Sequence, residues 1–268
     1  AIAFVIPLLR NPIWVRLQRG ALQRAGDRGY VVMIMDEPSD DPKPPGAYRY
    51  LVEESRADGL LLATALRNPE HAAGVPGVPH VYVNRRGPDH GNDVIMDEPG
   101  AVRLFLDHVA GFGHRSVALI DGSPDWDTVH RRVSAARRVC AARGIRLTVR
   151  HAAVTEAGGW EAMTRILRGG ARPTACGVGS LNQLFGVTAA LRAAGVAVPG
   201  QMSLVSFDED ECLAFLEVPV TSVIMPLAEL GGAAVDQLIA RIERQQADDV
   251  MIREPMRLLT RRSVAPPP

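Results

Sequence analysis

The sequence predicts an α/β fold of two doubly wound lobes, each built on its own parallel sheet. Three observations carry that expectation. Short continuous apolar runs recur along the chain, of the kind buried on both faces in parallel sheets. Amphipathic stretches separate them, several closed by a glycine in the C-cap position. The alternation then restarts after Gly113 and His114, so two successive β-α-β series are present, with a shift near residues 97–113.

The first run, residues 2–6, is halted by Pro7, and Pro12 suits the first turn of a helix. From 13 to 28, Trp14, Leu17, Ala21, Leu22 and Ala25 recur at helical spacing, and Gly29 closes the helix. Apolar runs at 30–35, 59–63, 80–83 and 93–96 read as strands, with a helix at 46–56 and a short segment at 69–73 between them. A helix over 100–111 leads into the second series. There, strands are expected at 116–120, 145–150, 175–178 and 203–207, with helices at 128–143, 159–167 and 183–194. A further amphipathic helix spans 227–245, and two strand-like runs, 250–253 and 256–260, close the chain. Two such lobes side by side would face each other across a cleft at the carboxyl ends of their sheets, where open parallel sheets take ligands.

Length and charge narrow the function. With 268 residues, 47% of them hydrophobic and 22% charged, the chain can bury a substantial core without staples. Thirty basic residues balance thirty acidic ones. A domain that grips DNA directly carries a basic excess, because phosphate neutralisation supplies much of the affinity. The pairs Arg131-Arg132, Arg137-Arg138 and Arg261-Arg262 read as solvated faces. Cys140, Cys176 and Cys212 show no metal-ligand spacing and read as free thiols in a reducing cytoplasm. The opening apolar stretch, residues 1–9, is too short to span a membrane and lacks the charged flank of a secretory signal. A cytoplasmic protein with no membrane association is expected.

Catalytic signatures are missing. The run 177–181 (GVGSL) lacks the second glycine of a nucleophile elbow, and no Gly-x-Gly-x-x-Gly or phosphate loop follows a strand. None of the seven histidines pairs at metal-ligand spacing. The acidic run 208–211 suits a strand-end loop in which Asp208 accepts hydrogen bonds from a ligand. No cofactor, no metal and no enzymatic activity are expected.

Eight short runs, in order and at matching separations, resemble the effector-binding domain of LacI/GalR-type transcription regulators, a periplasmic binding protein-like fold of type I. Residues 10–14 (RNPIW) resemble that family's Asn-Pro turn, 57–62 (ADGLLL) its Asp-Gly strand, and 83–86 (VNRR) its Asn/Asp-Arg strand end. The segment 94–101, with Asp97, Gly100 and Ala101, resembles the entry to the second lobe, and 112–118 (FGHRSVA) its Gly-His-Arg run. Residues 203–210 (SLVSFDED), 218–223 (VPVTSV) and 258–263 (LLTRRS) complete the likeness. The resemblance implies three crossovers, with an N-terminal lobe of 1–97 plus 224–248 and a C-terminal lobe of 98–223 plus 249–268. A DNA-binding headpiece and hinge would precede Ala1 and are absent from this chain.

Carried over at matching positions, Asn11 and Trp14 would line the cleft, and Arg85 would stand at a strand end facing it. Arg132 would give a forked donor to hydroxyls or a carboxylate, and Asp208 would accept from effector hydroxyls. Trp14 reads equally as core packing, Trp126 equally as a cleft wall or a plain loop residue, and Arg85 as a surface pair. Two departures alter the site. Ser180 and Leu181 stand where an Asn-Asp pair is usual, and Ala135 and Ala136 replace a glycine and an aromatic. The resemblance implies a sensor that binds a small, sugar-like effector, forms a homodimer, and acts on operator DNA through the headpiece. A periplasmic sugar-binding protein serving a transporter shares the two-lobed design and is the alternative.

Overall fold

Strand β1 (Ile2–Pro7) has every side chain buried, which only a sheet covered on both faces permits. The computed structural model describes residues 1–7, 11–37, 49–54, 56–63, 77–87, 92–244, 250–252 and 256–268. The short segment at 69–73, with His71, lies outside those residues, as does His90.

After β1 come α1 (Ile13–Asp27), β2 (Val32–Glu37), α2 (Arg49–Glu53), β3 (Gly59–Leu62), β4 (His80–Val83) and β5 (Asp93–Met96). The second series runs α3 (Glu98–Gly111), β6 (Ser116–Asp121), α4 (Asp127–Arg143), β7 (Arg146–His151), α5 (Glu156–Arg168) and β8 (Ala175–Val178). It continues through α6 (Leu181–Ala193), β9 (Ser203–Ser206), a 3₁₀ turn (Glu211–Ala214) and β10 (Thr221–Ile224). Last come α7 (Leu227–Ile242), β11 (Val250–Ile252) and β12 (Arg257–Leu259).

Two units result. The first comprises Ala1–Asp97, Asp125–Thr128 and Pro226–Glu254, the second Glu98–Pro124, Val129–Met225 and Pro255–Pro268. The first holds a six-stranded sheet of order β11-β5-β4-β3-β1-β2, the second one of order β12-β10-β9-β8-β6-β7. All described pairings are parallel except β10 with β12. An outermost strand bonds on one side only, so either direction satisfies its ladder. The return to the second sheet comes later than the sequence led us to expect. Val250 pairs with Val94 and Ile252 with Met96, so the run after 248 still belongs to the first sheet. Two similar apolar runs flank that return, and only the strand edge each one meets distinguishes them.

In the first unit, α1 buries Trp14, Leu17, Ala21 and Ala25 along one stripe. It packs on α7, and the two backbones touch through glycine. A methyl group at Gly231 would sit 2.1 Å from the Leu17 carbonyl oxygen. The second unit repeats the device between α5 and α6, where a methyl at Gly186 would meet the Glu156 oxygen at 1.8 Å.

His114, just before β6, is buried as a structural hub. One ring nitrogen lies 2.8 Å from the Thr174 hydroxyl, the other 2.9 Å from the Ala265 carbonyl and 3.1 Å from Ser203 Oγ. Burial lowers its pKa from the usual histidine value, in keeping with a neutral ring that ties the C-terminal tail to the sheet.

Glycine substitutions test the helix contact by sign. Gly26, on α1, has open space around it, so Gly26→Ala is expected to stabilise by up to ~1 kcal/mol through helix propensity. Gly231→Ala is expected to destabilise, since forcing a methyl into a closed contact costs about 1–3 kcal/mol. Urea midpoints of the two variants falling on the same side of the parent would contradict the contact.

Candidate functional site

The middle strands of the second sheet, β9, β8 and β6, lie side by side and end at the same edge. Between their end residues these strands are apolar and buried, and the acidic side chains appear at the carboxyl ends. Asp121 closes β6, Ser180 stands two residues beyond β8, and Asp208 two residues beyond β9. Polar residues thus gather where a parallel sheet meets the amino ends of its helices.

At the centre lies Arg132, from α4, 6% exposed. Its Nε donates to Glu98 Oε2 at 2.9 Å and its Nη1 to Asp121 Oδ2 at 3.0 Å. Glu98 opens α3 and is 1% exposed, Asp121 3%. The guanidinium carbon stands 4.8 Å from the centroid of the Phe207 ring, a cation–π contact. Burial opposes the charge on Arg132, but Asp121 and Glu98 outweigh it and raise the pKa further. Gly179 is glycine because of this group: a methyl there would lie 2.3 Å from Asp121 Oδ1 and 3.1 Å from Arg132 Nη1.

Asp208 is half-buried beside the triad. Its Oδ2 accepts the Leu181 N–H at 3.0 Å, at the amino end of α6, and its own N–H donates to Ser206 Oγ at 3.1 Å. Burial pushes its pKa up to about 6, against the restraining Leu181 hydrogen bond and Arg132 charge, with Asp121 and Glu98 adding to the rise. Ser180 serves as the N-cap of α6, its Oγ accepting the Gln183 N–H at 3.2 Å and donating to Gln183 Oε1 at 3.3 Å. Gln183 in turn donates to the Ala152 and Ala153 carbonyls at 3.1 and 3.2 Å.

The structure therefore gathers Arg132, Ser180 and Asp208 at one edge, but in altered roles. Both Arg132 arms that bond are engaged by carboxylates of the protein, so the free fork implied by the resemblance is not what this edge presents. The hydroxyl of Ser180 is engaged in capping. Glu98 and Asp121 went unread in the sequence, although a charged residue ending an otherwise apolar strand was a usable signal for Asp121.

The other expected residues belong to the first unit. Trp14 is buried on α1, and half-buried Asn11 accepts the Ile13 N–H on Oδ1 at 3.3 Å. Arg85 is 2% exposed, with its guanidinium carbon 5.2 Å from the Tyr82 ring centroid. Trp126 is half-buried, and the adjacent Asp127 accepts the Arg86 N–H at 3.1 Å. Cys140, Cys176 and Cys212 are free, and burial pushes their pKa values up to about 11, 12 and 11, which keeps all three as thiols at neutral pH.

A family model described as a periplasmic binding protein-like domain matches residues 106–264. The chain is 28% identical over 249 residues to the ribose operon repressor of Escherichia coli (strain K12), covering 90% of this chain and 75% of that protein. Among solved structures, a LacI family transcriptional regulator from Mycobacterium smegmatis is similar over 100% of both chains, with a TM-score of 0.88 at 27% identity. A LacI family regulator from Enterococcus faecium with bound ribose has a TM-score of 0.83 at 22% identity, covering 99% of this chain and 98% of that one. At that identity the likeness is one of fold.

Asp208 gives the site a testable pH signature. With its folded pKa raised to about 6, its contribution to stability is fully present below the unfolded carboxylate value and is lost as pH rises through 6. Asp208→Asn is therefore expected to melt above the parent at pH 7.5 and level with it near pH 4. A gap of the same size at both pH values would show that the carboxylate is not raised.

Proposed function

The chain belongs to the periplasmic binding protein-like family, as an effector-binding domain of LacI/GalR type, and from that premise we propose that it binds a small, sugar-like effector at the carboxyl edge of the second sheet. The observation that carries this reading is the convergence of Asp121, Ser180 and Asp208 on the ends of neighbouring strands. Asp208 is the proposed acceptor for effector hydroxyls, since a carboxylate that receives one backbone N–H keeps acceptor capacity. Asn11, Trp14, Arg85 and Trp126 are the proposed contacts from the first unit. The ribose in the Enterococcus faecium neighbour and the name of the Escherichia coli relative support the sugar-like class.

The regulatory step follows from linkage. An effector shifts operator affinity only by its differential affinity for two conformations of the sensor. Operator DNA is proposed to be read by a separate headpiece, because the sensor carries equal numbers of acidic and basic residues. The named relatives are a repressor and two transcriptional regulators, which favours a cytoplasmic, non-enzymatic regulator over a transport receptor. Among the described residues no helix is long and apolar enough to cross a membrane.

A homodimer is proposed as well, since paired half-sites call for paired headpieces. The second unit offers a surface for it: an apolar hollow of about 450 Å³ lined by Phe185, Leu191, Val196, Leu216 and Val218. Phe215, adjacent in sequence to this lining, is 86% exposed.

Two measurements test this reading. Calorimetric titration with neutral pentoses, hexoses and nucleosides is expected to find a binder whose affinity falls at least tenfold, about 1.4 kcal/mol, in Asp208→Ala. Binding indifferent to Asp208 would remove the site from this edge. Sedimentation at micromolar concentration is expected to show a dimer that Phe215→Glu shifts toward monomer. A parent that stays monomeric at high micromolar concentration would exclude the dimer.

A further inference from the structure

We propose that Glu98 and Asp121 set the ligand class at this edge: by occupying the fork of Arg132 they make the site reject anionic effectors and accept neutral molecules rich in hydroxyl donors. The inference rests on the reading that the effector binds here, and it narrows that reading to one chemical class.

An arginine at the end of a ligand-binding sheet is ordinarily a receptor for carboxylate or phosphate, because its planar fork matches their paired oxygens. In this chain Nε and Nη1 already hold Glu98 and Asp121 at 2.9 and 3.0 Å. Both carboxylates are nearly inaccessible, so neither can swing into water to make room. A phosphate or carboxylate held through two arms would need Nε or Nη1 beside Nη2 and would have to displace one of these carboxylates, leaving a buried charge without its partner, which is strongly unfavourable. The alternative is to settle beside them.

The second route is also closed. Glu98, Asp121 and Asp208 all act electrostatically on the Arg132 guanidinium, three acidic groups around one cation. Like charges repel more strongly where water is excluded, so an added anion meets a surplus of its own sign. His151, the neighbouring titratable group at the end of β7, has its Nδ1 2.8 Å from the Gly122 carbonyl and is directed to that backbone oxygen.

The same carboxylates favour hydroxyl donors. Asp121 Oδ1 receives the Gly122 N–H at 2.8 Å, and Asp208 Oδ2 the Leu181 N–H at 3.0 Å. An ionised carboxylate offers about four lone-pair sites, so Asp208, half-buried where Asp121 is closed off, retains capacity for an incoming O–H. Gly179 shows that this packing is built in, since any side chain there would collide with Asp121 and Arg132.

The test compares the parent with Glu98→Gln and Asp121→Asn, each nearly isosteric and each removing one negative charge from beside Arg132 while leaving an amide oxygen that can still accept its N–H. The probes are ribose, ribose 5-phosphate, gluconate and inorganic phosphate at matched ionic strength. The readouts are calorimetry and the amide ¹⁵N–¹H shifts of Gly122 and Leu181, whose N–H groups report on Asp121 and Asp208. In the parent, phosphate and the two anionic sugars are expected to leave both amides unmoved. In each variant the affinity for phosphate is expected to rise at least tenfold, with both amides shifting. Parent protein that binds an anionic probe with those shifts overturns the inference while leaving the effector site in place. Variants that gain no phosphate binding overturn it too. Phosphate binding gained by the variants, with no neutral sugar or nucleoside bound by the parent, supports the charge rule and counts against the sugar-effector reading. Parent melting in phosphate against chloride gives a measurement that needs no variant to fold: an increase in Tm specific to phosphate, accompanied by the amide shifts, contradicts the proposal.

Discussion

A parallel strand buried on both faces can be joined to its neighbour only by a chain that crosses the sheet and returns, and that single constraint organises this protein. It forces the alternation of strand and helix, covers both faces of each sheet with helices, and leaves charged side chains no room inside the central strands. Hydrogen-bonding side chains are thereby driven to strand ends. In the second sheet the ends of β6, β8 and β9 deliver Asp121, Ser180 and Asp208 to one edge, without any of them being near the others in sequence.

At that edge a guanidinium has been taken out of water and held by two carboxylates. A buried ion pair of this kind adds little net stability, because desolvation of three charged groups offsets their attraction. Its effect is positional. Glu98 at the start of α3, Asp121 at the end of β6 and Arg132 inside α4 are fixed against one another, and Phe207 closes the flat face of the guanidinium. In the proposed effector site, the cluster would turn a cationic residue type into part of an acceptor surface.

Two kinds of close contact support this arrangement. Helices α1 and α7 in the first unit, and α5 and α6 in the second, meet backbone to backbone at glycines, which permits dispersion contacts that larger side chains would hold apart. At the opposite end of the second sheet, His114 gathers Thr174, Ser203 and Ala265. A neutral imidazole both donates and accepts, so it can bridge strand, loop and tail where a charged group would be costly.

The order of strands and helices was legible in the sequence, because buried parallel strands read as continuous apolar runs and the helices between them carry a stripe of period 3.6. The eight short runs also disclosed the family, and one of them, 203–210, contains Asp208, whereas Arg132 lies outside them all. Tertiary structure decided the rest. β10 at Thr221–Ile224 mixes polar and apolar residues and became a strand through its pairing with β9. The run at Val250–Ile252 joined the first sheet because β5 offered it an edge. What Arg132 does depended on Glu98, 34 positions away in sequence, and on Asp121, 11 positions away. Residue type and periodicity follow from local sequence, whereas the partner a buried charge acquires is set by which distant elements packing brings within 3 Å of it.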